Sequence, residues 1–328
     1  MSSASATTSS KEQTGTITGT TKKFPMIPDM GGLGRSIRRD VHHLYCSEVW
    51  GGNQFVSTDI QLPGLVGTIY SKPCKGSAGG DIHYLSACSG GLVARLCLAD
   101  VAGHGESVAK MSEWMYGSLR RNMNRTNPSR MFSEMNGKAM ERGIGAMTTA
   151  ICLTYLSRRG LLYYCYAGHH PALVFKKSEN RWGHLHLKEK PSAKPSNLPL
   201  AVEESTRYDV NAMRLDEGDR VLVYSDGLIE AMNSQGELFG EERLVRILNH
   251  HRTTPHHDLC EVILNELAVF VGHDDFTHDD VTFILLRVTK RQHGTKVWNM
   301  MKNNFWKFLD RGLRLRSQRP FDSTKKNQ

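Results

Sequence analysis

The sequence predicts antiparallel β-sheets covered by helices, and three observations carry that reading. Apolar, strand-like runs are joined by short polar turns. Residues 82–99 are rich in Leu, Val, Ala and Cys and are broken by Ser89-Gly90-Gly91, while Ser157-Arg158-Arg159-Gly160 separates the runs 148–156 and 161–166. Such turns make hairpins, which pair strands antiparallel. Helical spacings come in pairs: Val108, Met111, Met115 and Leu119 are followed by Met131, Phe132, Met135 and Met140, and a run at 240–250 by one at 255–271. Strands interleaved with helix pairs argue against a doubly wound parallel sheet, in which one helix follows each strand.

The chain has 328 residues, enough for one large or two small domains. Its net charge of +9 is unevenly spread, because the eleven Lys/Arg and two Asp from Lys290 onward account for all of it. The body is formally neutral, which argues against a nucleic-acid-binding core. Seven cysteines without a CxxC pair, mostly inside apolar runs, read as free thiols in a reducing compartment. No apolar run reaches the ~18 residues of a membrane span, and the opening residues lack the apolar core of a secretory signal. A cytoplasmic location is expected.

In chain order, residues 1–23 are polar and low in complexity, too poor in apolar groups to fold. Residues 24–60 form an N-terminal extension of no assignable role, in which Val49-Trp50-Gly51-Gly52-Asn53 reads as a turn-like cluster. Strands begin at Gly64. The first helix starts near His104-Gly105-Glu106-Ser107, and the second follows Asn127-Pro128-Ser129. The methionine stripe at helical spacing reads as core. The turn Ala167-Gly168-His169-His170-Pro171 offers two histidines, but adjacent residues on a strand point opposite ways and no third ligand stands at metal spacing. A proline-rich surface loop covers 188–206, followed by a weak strand at 207–215 and a buried strand at 220–225. The last strand is expected at 281–288.

Four aspartates stand at strand ends beside glycines or turns. Asp81 follows Gly79-Gly80, Asp100 precedes Val101-Ala102-Gly103-His104-Gly105, Asp226 precedes Gly227, and Asp279 precedes Asp280 and a strand. The hairpin between Asp81 and Asp100 brings its two ends together, so these carboxylates should sit side by side. They repel unless a cation lies between them. Each Asp-Gly alone is an ordinary turn signal; four of them bracketing apolar strands point to an oxygen-ligand metal site for phosphoryl chemistry.

These stretches, together with Tyr224-Ser225-Asp226-Gly227-Leu228-Ile229-Glu230-Ala231, Glu237-Leu238-Phe239-Gly240 and Asp279-Asp280-Val281-Thr282, resemble in order the metal-dependent (PPM, type 2C) protein phosphatases, and most of all their SpoIIE-like bacterial branch. The resemblance covers roughly residues 60–290. It implies an α+β sandwich of two antiparallel sheets flanked by helix pairs. It also implies a serine/threonine phosphoprotein phosphatase in bacterial signalling that uses two Mg²⁺ or Mn²⁺ ions to activate a water. Asp100 would bridge the ions with the Val101 carbonyl beside it, Asp81 would hold a metal or its waters, and Asp226 and Asp279 would complete the second ion. His104 is a candidate leaving-group acid or part of a helix cap. The family expectation for the substrate is a phosphorylated regulator of the anti-anti-sigma type.

Two features depart from the pattern. Tyr84 occupies the place where many relatives carry a second acid, which suggests a missing auxiliary ligand and a raised metal demand. No arginine precedes Asp81 to clamp phosphate, leaving Lys72 and Lys75 as substitutes. The competing reading is a catalytically silent PPM-fold binding module, which Tyr84 favours and the four aspartates oppose. In the segment 291–328, Val297, Met301, Phe305, Leu309 and Leu313 recur every fourth residue among basic residues. That pattern suits a helix docked on the domain or on a protein partner, or one lying on an anionic membrane surface. The expected segments are thus 1–23, 24–60, a phosphatase domain at 61–290, and the basic tail.

Overall fold

Strands that are apolar on both faces must be covered on both faces, and the chain meets this with two stacked sheets between two helical layers. The computed structural model describes residues 39–44, 48–88, 92–103, 106–122, 127–188, 194–273 and 278–290. The expectations for residues 1–23, for His104 and for the tail from residue 291 fall outside these.

One sheet has seven strands in the order β1 (Val41–His43), β3 (Val56–Leu62), β4 (Leu65–Lys72), β13 (Val281–Val288), β12 (Arg220–Tyr224), β9 (Leu173–Lys176) and β10 (Arg181–His184). The other has six: β11 (Val210–Arg214), β8 (Leu161–Ala167), β7 (Thr148–Leu156), β6 (Val93–Val101), β5 (Ala78–Cys88) and β2 (Val49–Gln54). All these neighbours pair antiparallel except β1 and β3. Helices α1 (Glu106–Asn122) and α2 (Pro128–Met140) cover the six-stranded sheet; α4 (Glu241–His250) and α5 (His256–Val271) cover the seven-stranded one, and a single turn, α3 (Asp226–Ile229), follows β12.

Strand alternation sorts the apolar residues into three layers. On β6, Leu96 and Leu98 point between the sheets, whereas Cys97, Ala99 and Val101 point toward α1 and α2. On β12, Val221 and Val223 point inward, and Leu222 and Tyr224 toward α4 and α5. The methionine stripe is core: Met131 and Met135 are buried with Phe132 against the six-stranded sheet.

Residues 41–62, all but the last two of them in the expected N-terminal extension, supply strands to both sheets. The cluster Val49–Asn53 is strand rather than turn. Gly51, at φ +151°, lies so close to β5 that a Cβ there would stand 2.1 Å from the His83 carbonyl oxygen. Gly51 is thus the means by which β2 docks edge-on to β5.

Candidate metal centre

Asp81 and Asp100 face each other in the β5–β6 register, at the end of the seam between the sheets. The ladder brings this about: eight consecutive pairs run from Cys88–Val93 to Asp81–Asp100, and each carboxylate lies on the same inward face as Leu85 or Leu98. Asp226 opens α3 beyond β12, and Asp279 stands exposed just ahead of β13.

Burial pushes the Asp81 carboxyl well above the usual carboxylate range, and the Asp100 charge pushes it further; hydrogen bonds from Ser225 and Thr282 partly oppose this. Asp100 is pushed up to about 7, by burial first and then by Asp226, Asp279, Asp280 and Glu230. Asp226 is raised by burial and by Glu230, with His170 acting in the opposite sense. Asp81, Asp100, Asp226 and Asp279 therefore share one electrostatic site. Hard carboxylate oxygens in mutual repulsion, with the Val101 carbonyl oxygen beside Gly80, make a donor set that fits Mg²⁺ or Mn²⁺.

The side chains that hold this cluster carry no sequence signal comparable to Asp-Gly. Ser225 Oγ donates to Asp81 Oδ2 at 2.6 Å and accepts the Thr282 amide at 3.0 Å, tying β12, β13 and β5 together. Asp280 is buried and structural. Its Oδ1 accepts the Cys74 amide at 2.7 Å, and its Oδ2 accepts the Gly80 amide. A Cβ at Gly79 would stand 2.1 Å from that carboxylate, and one at Gly227 2.1 Å from the Asp280 carbonyl oxygen, so both glycines are dictated by close approach. Asn53 Nδ2 donates to the Gly79 carbonyl oxygen at 3.1 Å, which gives the unassigned β2 cluster a role beside the site.

His169 is a strut rather than a ligand. Its Nε2 lies 3.0 Å from the Tyr224 carbonyl oxygen, which fixes that nitrogen as the donor, and its Nδ1 accepts from Thr149 Oγ1 at 2.9 Å. Thr149 is the cross-strand partner of Asp100. Both ring nitrogens are thus committed, and burial with the His170 charge lowers the imidazole to about 3, holding it neutral. His170 stacks on Tyr224.

Tyr84 corrects the expectation of a missing auxiliary ligand. It is fully buried on the opposite face of β5 from Asp81, packed with Tyr116 beneath α1. Residues three apart on a strand point to opposite faces, so position 84 cannot reach the cluster from this backbone. Lys72 pairs with Val281 at the edge of the site, and Lys75 is exposed in the following loop near Cys74.

The family model for stage II sporulation protein E, SpoIIE, matches residues 92–289. The chain belongs to the SpoIIE family. The phosphoserine phosphatase RsbU of Bacillus subtilis is 24% identical over 220 residues, covering 66% of this chain and 61% of that protein. The chain thus spans about three fifths of the length of this curated relative. Among solved structures, the RsbU and RsbW domains of a Mycobacterium tuberculosis protein superpose with a TM-score of 0.60 at 22% identity, over 73% of this chain and 64% of that one. RsbX in complex with magnesium gives 0.53 at 15% identity, over 71% of this chain and all of that one. These likenesses establish the PPM-type sandwich for this member of the SpoIIE family. No helix among the described residues is long and apolar enough to cross a membrane.

Proposed function

We propose that this SpoIIE-family chain is a metal-dependent phosphatase that removes phosphate from phosphoserine or phosphothreonine in a regulatory protein of the anti-anti-sigma type. The observation that carries the reading is the Asp81–Asp100 pair, coupled to Asp226 and Asp279 at one end of the sandwich. Two Mg²⁺ or Mn²⁺ ions would be held there by Asp81, Asp100, the Val101 carbonyl oxygen, Asp226 and Asp279. Bound divalent ions supply an activated water at neutral pH and offset charge on the transferred phosphoryl group. The chain's own part is positioning. Ser225 aims Asp81, Asp280 pins the Gly79–Asp81 backbone, and His169 fixes the end of β12 against β7. Lys72 and Lys75 are the cations at the edge of the cluster suited to meeting a phosphate.

A silent binding module loses its support once Tyr84 is seen to face away from the site. The deciding experiment is release of phosphate from an aryl phosphate and from a phosphoserine protein, with and without Mn²⁺. Turnover that needs the cation and vanishes in Asp100→Asn supports the reading. No turnover at saturating Mn²⁺ from the intact chain overturns it.

A further inference from the structure

A second crowd of like charges lies outside the carboxylate cluster, on the face of the seven-stranded sheet that α5 covers. Arg220 on β12 is the direct cross-strand partner of Arg287 on β13. Like charges in that position destabilise a sheet, so the pair needs an explanation. Both arginines line a cleft of about 520 Å³ whose opposite wall is Pro255 and His256, at the start of the sixteen-residue helix α5. No side chain caps that helix at Pro255. Arg220 Nε and Nη1 are buried without hydrogen-bond partners, and so are both ring nitrogens of His256. The Arg220 guanidinium rests on the Phe175 ring at 5.2 Å.

Among the described residues, no acid forms an ion pair with Arg220 or Arg287. Asp59 lines the cleft but accepts from Thr68 Oγ1 at 2.7 Å. On α5, Asp258 pairs with His257, and Glu261 with Arg39. Burial, followed by the charges of Arg287 and Arg220, lowers the His256 imidazole to about 3, which leaves a neutral ring able to donate from one nitrogen. Two guanidinium groups, an imidazole donor and a helix N-terminus on one cleft are the elements that receive a tetrahedral oxyanion.

We propose that the cleft between the Arg220–Arg287 pair and the start of α5 is a binding site for a phosphate group, separate from the metal centre, with His256 as a third contact. Its ligand is either free orthophosphate or a small organic phosphate whose apolar part lies along Val66. An anion there offsets the cross-strand repulsion of the two guanidinium groups.

The test uses the full chain with a chelator present, so that no phosphate is held through divalent ions. Orthophosphate and phenylphosphonate are titrated while the His256 ring signals are followed by NMR and the thermal midpoint is recorded. Wild type should show a saturable His256 shift and a midpoint rise of about 2–4 °C at saturation. Arg220→Gln/Arg287→Gln should lose both. Arg287→Gln alone should be more stable than wild type without phosphate, because the repulsion is gone; a merely structural arginine would give the reverse. Tighter binding of phenylphosphonate identifies an organic phosphate as the ligand class, and equal or weaker binding identifies orthophosphate. An unmoved His256 signal in wild type, or an equal phosphate response in the double variant, overturns the proposal.

Discussion

Asp81 faces Asp100 across β5 and β6, and Arg220 faces Arg287 across β12 and β13. Each is a like-charge pair in direct register, but the surroundings differ. Around the aspartates the fold supplies oriented donors, from the Ser225 hydroxyl to the backbone pinned by Asp280, and it gathers two further carboxylates. Around the arginines it supplies an aromatic ring, a helix start and an imidazole, with donors left over. In the proposed reading, the first pair holds cations between two sheets. The second lies in an open cleft on one sheet. A buried like-charge pair thus indicates the charge of what binds, and the donors packed around it indicate how tightly the geometry is fixed.

The sharpest way to break the comparison is to neutralise one side of the anionic pair. Asp100→Asn and Asp226→Asn should each lower phosphatase turnover by roughly 10³-fold or more. Both should fold, and the metal-free thermal midpoint should rise because repulsion is relieved. Near-wild-type turnover at saturating Mn²⁺ in either would remove the assignment.

Asp279 is exposed and Asp280 is buried on backbone amides, and the proposed function gives these neighbours opposite roles. Asp280→Asn puts an amide where backbone N–H groups need an acceptor, at a cost of about 2–4 kcal/mol in denaturant unfolding. Asp279→Asn should leave unfolding unchanged and lose turnover. Equal stability of the two variants would contradict the roles given to them.

Ser225→Ala leaves all carboxylates in place but frees Asp81. A loss of about 10–100-fold in apparent metal affinity is expected from titration of activity against Mn²⁺.

The pH response separates the two pairs. Asp81 and Asp100 have folded-state values above the ~3.9 of an unfolded aspartate. The metal-free fold therefore binds more protons than the unfolded chain from about pH 4 upward, and its stability falls as pH rises through the Asp100 value of about 7. Buried, neutral His83, His169 and His256 act in the opposite sense below pH 6.5, so the carboxylate contribution is read as a difference. In chelator, the wild-type midpoint should fall by several degrees relative to that of Asp100→Asn between pH 5 and pH 8, and Mg²⁺ should restore it. Arg287→Gln should leave this carboxylate difference intact, since arginine does not titrate there.

The smallest effect concerns Tyr84. Tyr84→Phe should change stability by no more than about 1 kcal/mol, because the hydroxyl has no hydrogen-bond partner. Tyr84→Asp should destabilise by burying an acid without lowering the Mn²⁺ requirement. A lowered requirement would return position 84 to the metal centre.

Much of the site was legible in the chain. The Gly-Gly-Asp start, the apolar run with its Ser-Gly-Gly break and the Asp100 end are one hairpin, and hairpin geometry alone puts the two carboxylates together. The helical spacings of Val108, Met115 and Leu119 and of Met131 and Met135 gave the covering layer, because 3.6-residue periodicity is a local property. The face of Tyr84 was also readable from strand alternation, and only a family pattern suggested otherwise. Ser225, Asp280, His169 and Asn53 were not legible as site residues. Their partners lie 144, 206, 55 and 26 residues away in the chain, and only the stacking of the two sheets joins them. The Arg220–Arg287 pair is the extreme case. Nothing local distinguishes either arginine, and its register with the other is set by the whole β12–β13 ladder and by the helix that packs over it. Sequence determines what a strand or helix carries on each face; tertiary structure decides which faces meet, and a binding site is made where they do.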